Sequence, residues 1–117
     1  MGLRDPVDTV MRSPPVTASC SETVSSVIDK MVSNNIGAII VMTGSNPVGI
    51  VTERDILRKI VRARKDPDKT SAQDIMSTPL VTIEAGRPIR DALELMREKE
   101  IRRLAVTKGS RLLGIVT

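Results

Sequence analysis

Gly44-Ser45-Asn46-Pro47-Val48-Gly49-Ile50-Val51-Thr52 returns 65 residues later as Gly109-Ser110-Arg111-Leu112-Leu113-Gly114-Ile115-Val116-Thr117. Working outward from this phrase, residues 11–52 align on 76–117 without a gap, and 13 of the 42 positions are identical. Met11/Met76, Pro14/Pro79, Val16/Val81, Thr17/Thr82, Met31/Met96, Ile36/Ile101 and Val41/Val106 are among them. Average composition would give roughly two or three identities. Two copies of one unit are present, and the fold must be read as a repeat.

Each copy has the same pattern. A short extended stretch, Pro14–Thr17 or Pro79–Thr82, follows a methionine turn. Apolar residues then recur at Val24, Val27, Ile28, Met31 and Val32, the spacing of one helix face, and Ile89, Ala92, Leu93 and Met96 repeat it. Thr23 is placed as an N-cap, and Asn34-Asn35 ends the helix. Two continuous apolar runs, Ala38–Met42 and Val48–Thr52, flank a Gly-Ser turn and read as strands covered on both faces. Ile56, Leu57, Ile60 and Val61 then form a second helical stripe.

The reading is therefore an α/β fold of two β-α-β-β-α repeats, with small sheets flanked by helices. Repeat 1 is set at 8–63, a polar, Pro-broken linker at 64–73, and repeat 2 at 74–117. The last helix of repeat 2 is expected to be absent, since its matching residues would follow Thr117. Face-to-face packing about a pseudo-twofold axis would give one domain with two quasi-equivalent clefts.

Composition narrows the function. The 117 residues include no His, Phe, Tyr or Trp. That removes imidazole bases, His metal ligands and Ser-His or Cys-His nucleophile pairs, together with the aromatic platforms on which single-stranded bases stack. No phosphate-cradling Gly-rich motif and no paired cysteines occur, so the expectation is no enzyme, no metal site and no required cofactor. Cys20 is the one cysteine and reads as a small apolar residue in a reducing compartment. No apolar run approaches a bilayer span, and the charged N-terminus lacks signal-peptide and myristoylation patterns. A soluble cytoplasmic chain without a membrane partner is expected.

Gly49-Ile50-Val51-Thr52-Glu53-Arg54-Asp55 is the most informative junction. Thr52 and Asp55, three apart at a helix start, fit a capping box. They also fit a ribose site, because a carboxylate can accept both hydroxyls of a vicinal diol and a Thr hydroxyl both donates and accepts. The two roles are compatible if the cap leaves one carboxylate oxygen free. Arg102 and Arg103, where copy one has Gly37 and Ala38, either guard a strand edge or pair with phosphate. Arg58, Lys59, Arg62, Arg64 and Lys65 form either a solvated helix end or a nucleic-acid patch over 58–65.

The openings Met11-x-x-Pro14-x-Val16-Thr17 and Met76-x-x-Pro79-x-Val81-Thr82, the strands Ile36–Val41 and Ile101–Val106, and Gly49–Asp55 together resemble a tandem pair of CBS domains, a Bateman module. The resemblance spans about residues 8 to 117. It implies a non-catalytic regulatory module that senses AMP, ADP, ATP or S-adenosylmethionine between the repeats and transmits binding as a change of shape or partner affinity. By that resemblance Thr52 and Asp55 hold ribose. Thr17, Ile36, Gly37, Ala38, Ile50, Val81 and Thr82 line the adenine cleft, Arg54, Arg102 and Arg103 meet phosphate, and Thr117 is the remnant of a second site. A homodimer and a regulated partner protein are also implied. The reading from another class is a nucleic-acid-binding accessory protein using the 58–65 patch.

Overall fold

The computed structural model describes residues 2–117. It has two compact units, Val16–Leu80 and a second made of the N-terminal residues through Pro15 with Val81–Thr117. Each holds a three-stranded sheet flanked by helix, so the mixed α/β architecture read from the repeat is present.

In the Val16–Leu80 unit, β1 (Thr17–Ser19) runs parallel to β2 (Ala38–Thr43), which pairs antiparallel with β3 (Asn46–Thr52). The crossover is α1 (Val24–Asn34), capped by Thr23, whose hydroxyl accepts from the Ser26 amide at 3.1 Å. Asn35 closes it in the left-handed region at φ 53°, a conformation Asn tolerates better than most residues. Val24, Val27 and Met31 of α1 are buried with Ile39, Val41 and Val51 of the sheet. Val32 belongs to the same sequence stripe, yet it is 75% exposed. The helix face that meets the sheet is narrower than the apolar stripe, so Val32 lies beyond the contact.

α2 (Glu53–Ile56) continues into a π-helical turn, Leu57–Val61, closed by the Arg62 amide on the Leu57 carbonyl at 2.9 Å. Of the expected stripe Ile60 is buried, whereas Leu57 and Val61 are 60% and 61% exposed. The wider π turn changes the angular advance per residue, and so departs from the α-helical period that predicted burial for all four.

Residues 64–73, expected as a linker, are folded onto the first repeat. The Val24 amide donates to Thr70, Ser25 to Pro67 and Ala72 to Glu22, at 2.8, 3.1 and 2.8 Å. The short helix α3 (Ala72–Ile75) follows, and its Ala72 and Ile75 are in the core. Polar composition marked the surface of this segment, while Ala72 near its end and Ile75 just beyond it anchor it to the core.

The other unit repeats the plan with β4 (Thr82–Glu84), α4 (Ile89–Lys99), β5 (Leu104–Lys108) and β6 (Arg111–Val116). β4 is parallel and β6 antiparallel to β5. Both antiparallel ladders shift register at matching places, between Val41/Met42 and between Val106/Thr107. Ile83, Ala92, Leu104, Val106 and Val116 form the core with Val7 from the N-terminal segment. Leu93, expected on the apolar helix face, is half-exposed.

The repeat openings exchange places. Ser77 of the second opening bridges Ile50 on the edge of β3, and Arg12 of the first bridges Ile115 on β6. Both backbone pairs are two-sided, at 2.8–3.1 Å. Each needs a glycine one residue before the bridged isoleucine. A Cβ on Gly49 would lie 2.6 Å from the Met76 sulfur, and one on Gly114 would lie 2.6 Å from the Arg12 carbonyl oxygen. A thioether can swing aside, but a backbone carbonyl takes its strand with it. Gly114→Ala is therefore expected to cost more than Gly49→Ala, within the ~1–3 kcal/mol of overpacked cores. Urea denaturation of the two variants checks the order.

Glu22 ties β1 to α1. It accepts from the Ser26 hydroxyl at 2.6 Å, from the Ser19 amide at 3.3 Å and from Lys30 at 3.0 Å, and Lys30 also reaches the Thr17 carbonyl. Burial pushes the Glu22 carboxyl up, but the bonds from Ser26, Lys30 and Ser19 and the Lys30 charge outweigh it and hold it below the ordinary value. A carboxylate lowered by folding stabilises fully above its unfolded value, about 4.3, and loses that contribution as pH falls through the folded one. Glu22→Gln is expected to lower stability at pH 7, with the difference from wild type closing in acid. Thermal melts from pH 7 down to 3 measure it.

Candidate functional site

The junction of β3 and α2 gathers polar groups at one end of the first sheet. Thr52 ends β3 opposite Ala38 of β2, and the Glu53 amide donates to the Gly37 carbonyl at 3.1 Å. This places the half-buried Ile36-Gly37 backbone beside the first turn of α2. A row crosses the sheet from Thr17 through Ile40 and Ile50 to Ser77. Three of the expected cleft positions, Thr17, Ile50 and Ala38, are thereby fixed by strand register.

Asp55 is the buried carboxylate of this unit, 6% exposed. Its Oδ2 accepts from the Thr52 amide at 2.9 Å and from the Thr52 hydroxyl at 3.1 Å, while the Asp55 amide donates to that hydroxyl oxygen at 3.3 Å. The capping box is complete. The second oxygen is not free. Oδ1 accepts from the Ser77 hydroxyl at 2.8 Å and is 3.1 Å from the Lys59 ammonium. Lys59 also donates to the Ile75 carbonyl at 2.8 Å. Capping engages Oδ2 alone, as expected, but Ser77 and Lys59 rather than open space meet the other oxygen. Three hydrogen bonds and one ion pair meet a group with about four acceptor positions.

Ser77 and Lys59 are the site residues that sequence reasoning missed. Lys59 was legible as the i+4 cation to Asp55. Ser77 was not, because its repeat counterpart is Arg12 and nothing in a repeat alignment says which sheet an opening will join.

Other expected residues are distributed differently. A cavity of about 550 Å³ lies between α1 and α2, lined by Ile28, Val32, Ile36, Gly37, Glu53 and Leu57 among others. It includes two of the expected adenine positions but neither Thr52 nor Asp55. Arg54 is exposed on the first turn of α2. Arg58, Arg62, Arg64 and Lys65 are exposed, whereas Lys59 is turned to Asp55 and Ile75, which interrupts the basic run. In the other unit Val81 is half-buried and Thr82 exposed at the start of β4, and Arg102 is exposed and Arg103 half-buried just before β5. Thr117 follows β6 and is exposed. Among the described residues no cluster of three or more His, Cys, Asp or Glu could hold a metal ion. No described helix is long and apolar enough to cross a membrane.

The sequence profile of the CBS domain matches residues 7–62 and again 72–117. The chain belongs to the CBS-domain family. As a tandem CBS-domain chain it is 39% identical over 113 residues to an uncharacterized protein of Methanopyrus kandleri, covering 95% of this chain and 58% of that one. It spans between 30% and 61% of the length of the first four curated relatives it matches. A CBS domain protein of Pyrobaculum aerophilum, solved in complex with AMP, superposes with TM-score 0.87 at 29% identity, over 96% of this chain and 86% of that one. Hypoxic Response Protein I, solved with two coordinated zinc ions, superposes with TM-score 0.86 at 27% identity, over 96% and 92%.

Removing the Asp55 carboxylate deletes the reciprocal half of the capping box and leaves the Ser77 and Thr52 donors without their acceptor, while the Asp55 amide keeps its bond to the Thr52 hydroxyl. Asp55→Ala is expected to lose about 1–3 kcal/mol of stability, the cost of orphaning hydrogen-bonding groups. Chemical denaturation monitored by far-UV circular dichroism measures it. A loss below ~0.5 kcal/mol would show that the carboxylate does not hold the junction.

Proposed function

We propose that the tandem CBS chain is a non-catalytic regulatory module that binds an adenosine nucleotide, with AMP as the first candidate and ADP, ATP and S-adenosylmethionine as the others. The observation that supports it is the β3–α2 junction. There the Thr52/Asp55 pair stands beside the Ile36–Ala38 backbone, in a fold whose Pyrobaculum relative was solved with AMP.

The chemistry suits such a ligand. Asp55 and the Thr52 hydroxyl would take the ribose diol through hydrogen bonds in which the ligand hydroxyls donate to the carboxylate. The peptide groups of Ile36–Ala38 would offer donors and acceptors to a base edge without an aromatic platform, consistent with a chain lacking aromatic residues. Arg54, exposed one residue before Asp55, is the cation of this unit nearest in sequence to meet phosphate. Val81, Thr82, Arg102, Arg103 and Thr117 of the other unit keep the ligand roles that the resemblance implies. Binding would act by population shift, bounded by the ligand's differential affinity for two arrangements of the chain. A homodimer acting on a partner protein in the cytoplasm completes this reading. The basic 58–65 segment is the weaker basis for a function, since Lys59 is engaged within the fold.

Isothermal titration with AMP, ATP and S-adenosylmethionine tests the proposal. Saturable heat at sub-millimolar concentration for at least one of them is expected. Absence of heat for all three at millimolar concentration overturns it.

A further inference from the structure

The Asp55 carboxylate takes three hydrogen bonds and one ion pair within the fold, and these four partners are not equally easy to displace. The Thr52 amide and hydroxyl belong to the capping box, and removing them would open the first turn of α2. Lys59 is the i+4 partner of Asp55 and is held a second time by the Ile75 carbonyl. Ser77 differs from both. Its residue is exposed, and its hydroxyl donates to Oδ1 at 2.8 Å. Its backbone is anchored independently, by the two-sided pair with Ile50 at 2.8 and 3.1 Å. Rotation about one side-chain bond therefore opens one acceptor position on Oδ1, beside the Lys59 ion pair, without disturbing the sheet edge.

We infer that Ser77 is an affinity- and specificity-determining residue that competes with ligand hydroxyls for Asp55. The inference rests on the proposed ribose role of that carboxylate. In the unliganded chain Ser77 stands in for one hydroxyl of a vicinal diol. A ligand must displace it, and only a ligand bringing its own hydroxyl repays the exchange. A ligand lacking the diol would leave the Ser77 bond in place and gain nothing from Asp55. Ser77 thus sets the affinity for ribose-bearing ligands lower than an open carboxylate would give. It does so while keeping the buried charge satisfied in the absence of ligand, a state that would otherwise be costly.

The test compares wild type, Ser77→Ala and Ser77→Thr by isothermal titration with AMP and with 2′,3′-dideoxy-AMP, each variant first checked by thermal melting. Ser77→Ala is expected to bind AMP about three- to tenfold more tightly, the range one net hydrogen bond supports. It should leave the dideoxy affinity unchanged. Ser77→Thr, which keeps the hydroxyl, should stay near wild type for both. Equal AMP affinity in wild type and Ser77→Ala would overturn the competition while leaving the nucleotide reading standing. Weaker binding by Ser77→Ala would make Ser77 a ligand contact and overturn it as well. Heat from none of the three proteins would remove AMP as the ligand and overturn this inference with it.

Discussion

The two-sided backbone pair between Ile50 and Ser77, with its counterpart between Ile115 and Arg12, is the constraint on which both halves of the structure depend. A three-stranded sheet leaves the outer rim of its last strand with unpaired amides and carbonyls. In each half that rim is met by a segment from the opening of the other repeat. The approach is close enough to require glycine at 49 and 114, and it seats Met76 and Met11 directly on those glycines. Other features follow. Met76 packs on the first core and Met11 on the second. Ile75 brings its carbonyl to Lys59, and Ser77 brings its hydroxyl to Asp55.

Much of this architecture was legible in the sequence, for reasons that are local. The Thr23 cap, the left-handed Asn35 and the turn through Gly44 depend on residues within a few positions of one another. Continuous apolar runs identified the strands, and the central β2 and β5 are buried on both faces, whereas β3 and β6 alternate buried with half-buried residues. Apolar periodicity also overreached. It marked Val32, Leu57, Val61 and Leu93 as apolar, which they are, but a period does not say how much of a face has something to pack against. The exchange of openings was invisible for a deeper reason. Two copies with the same phrase have the same local preferences, so the sequence cannot distinguish an opening that folds onto its own sheet from one that folds onto its twin's. The small differences at Ser77 and Arg12 become meaningful only once the partners are known.

The candidate site shows the same division. Thr52 and Asp55 were recognisable as a pair by their spacing, and the structure assigns them a capping geometry in every detail. What spacing could not show is that the carboxylate is also the meeting point of three separate stretches of chain: the end of β3, the π-helical turn and the segment after α3. A group so placed reports on all three. Any event that alters one of its partners is felt by the others through a single buried acceptor.

The exchanged openings also bear on how such a chain came to be. A lone repeat carrying its own opening would present a bare sheet rim and a segment shaped to cover an identical rim elsewhere. Two such molecules could satisfy each other only by meeting, in the manner of a swapped dimer. Joining two copies in tandem turns that encounter into an intramolecular one, with an effective concentration set by the tether instead of by expression level. Once joined, the two copies are free to diverge, because each opening now needs to fit only one rim. Ser77 beneath one and Arg12 beneath the other are what that freedom looks like in the present sequence.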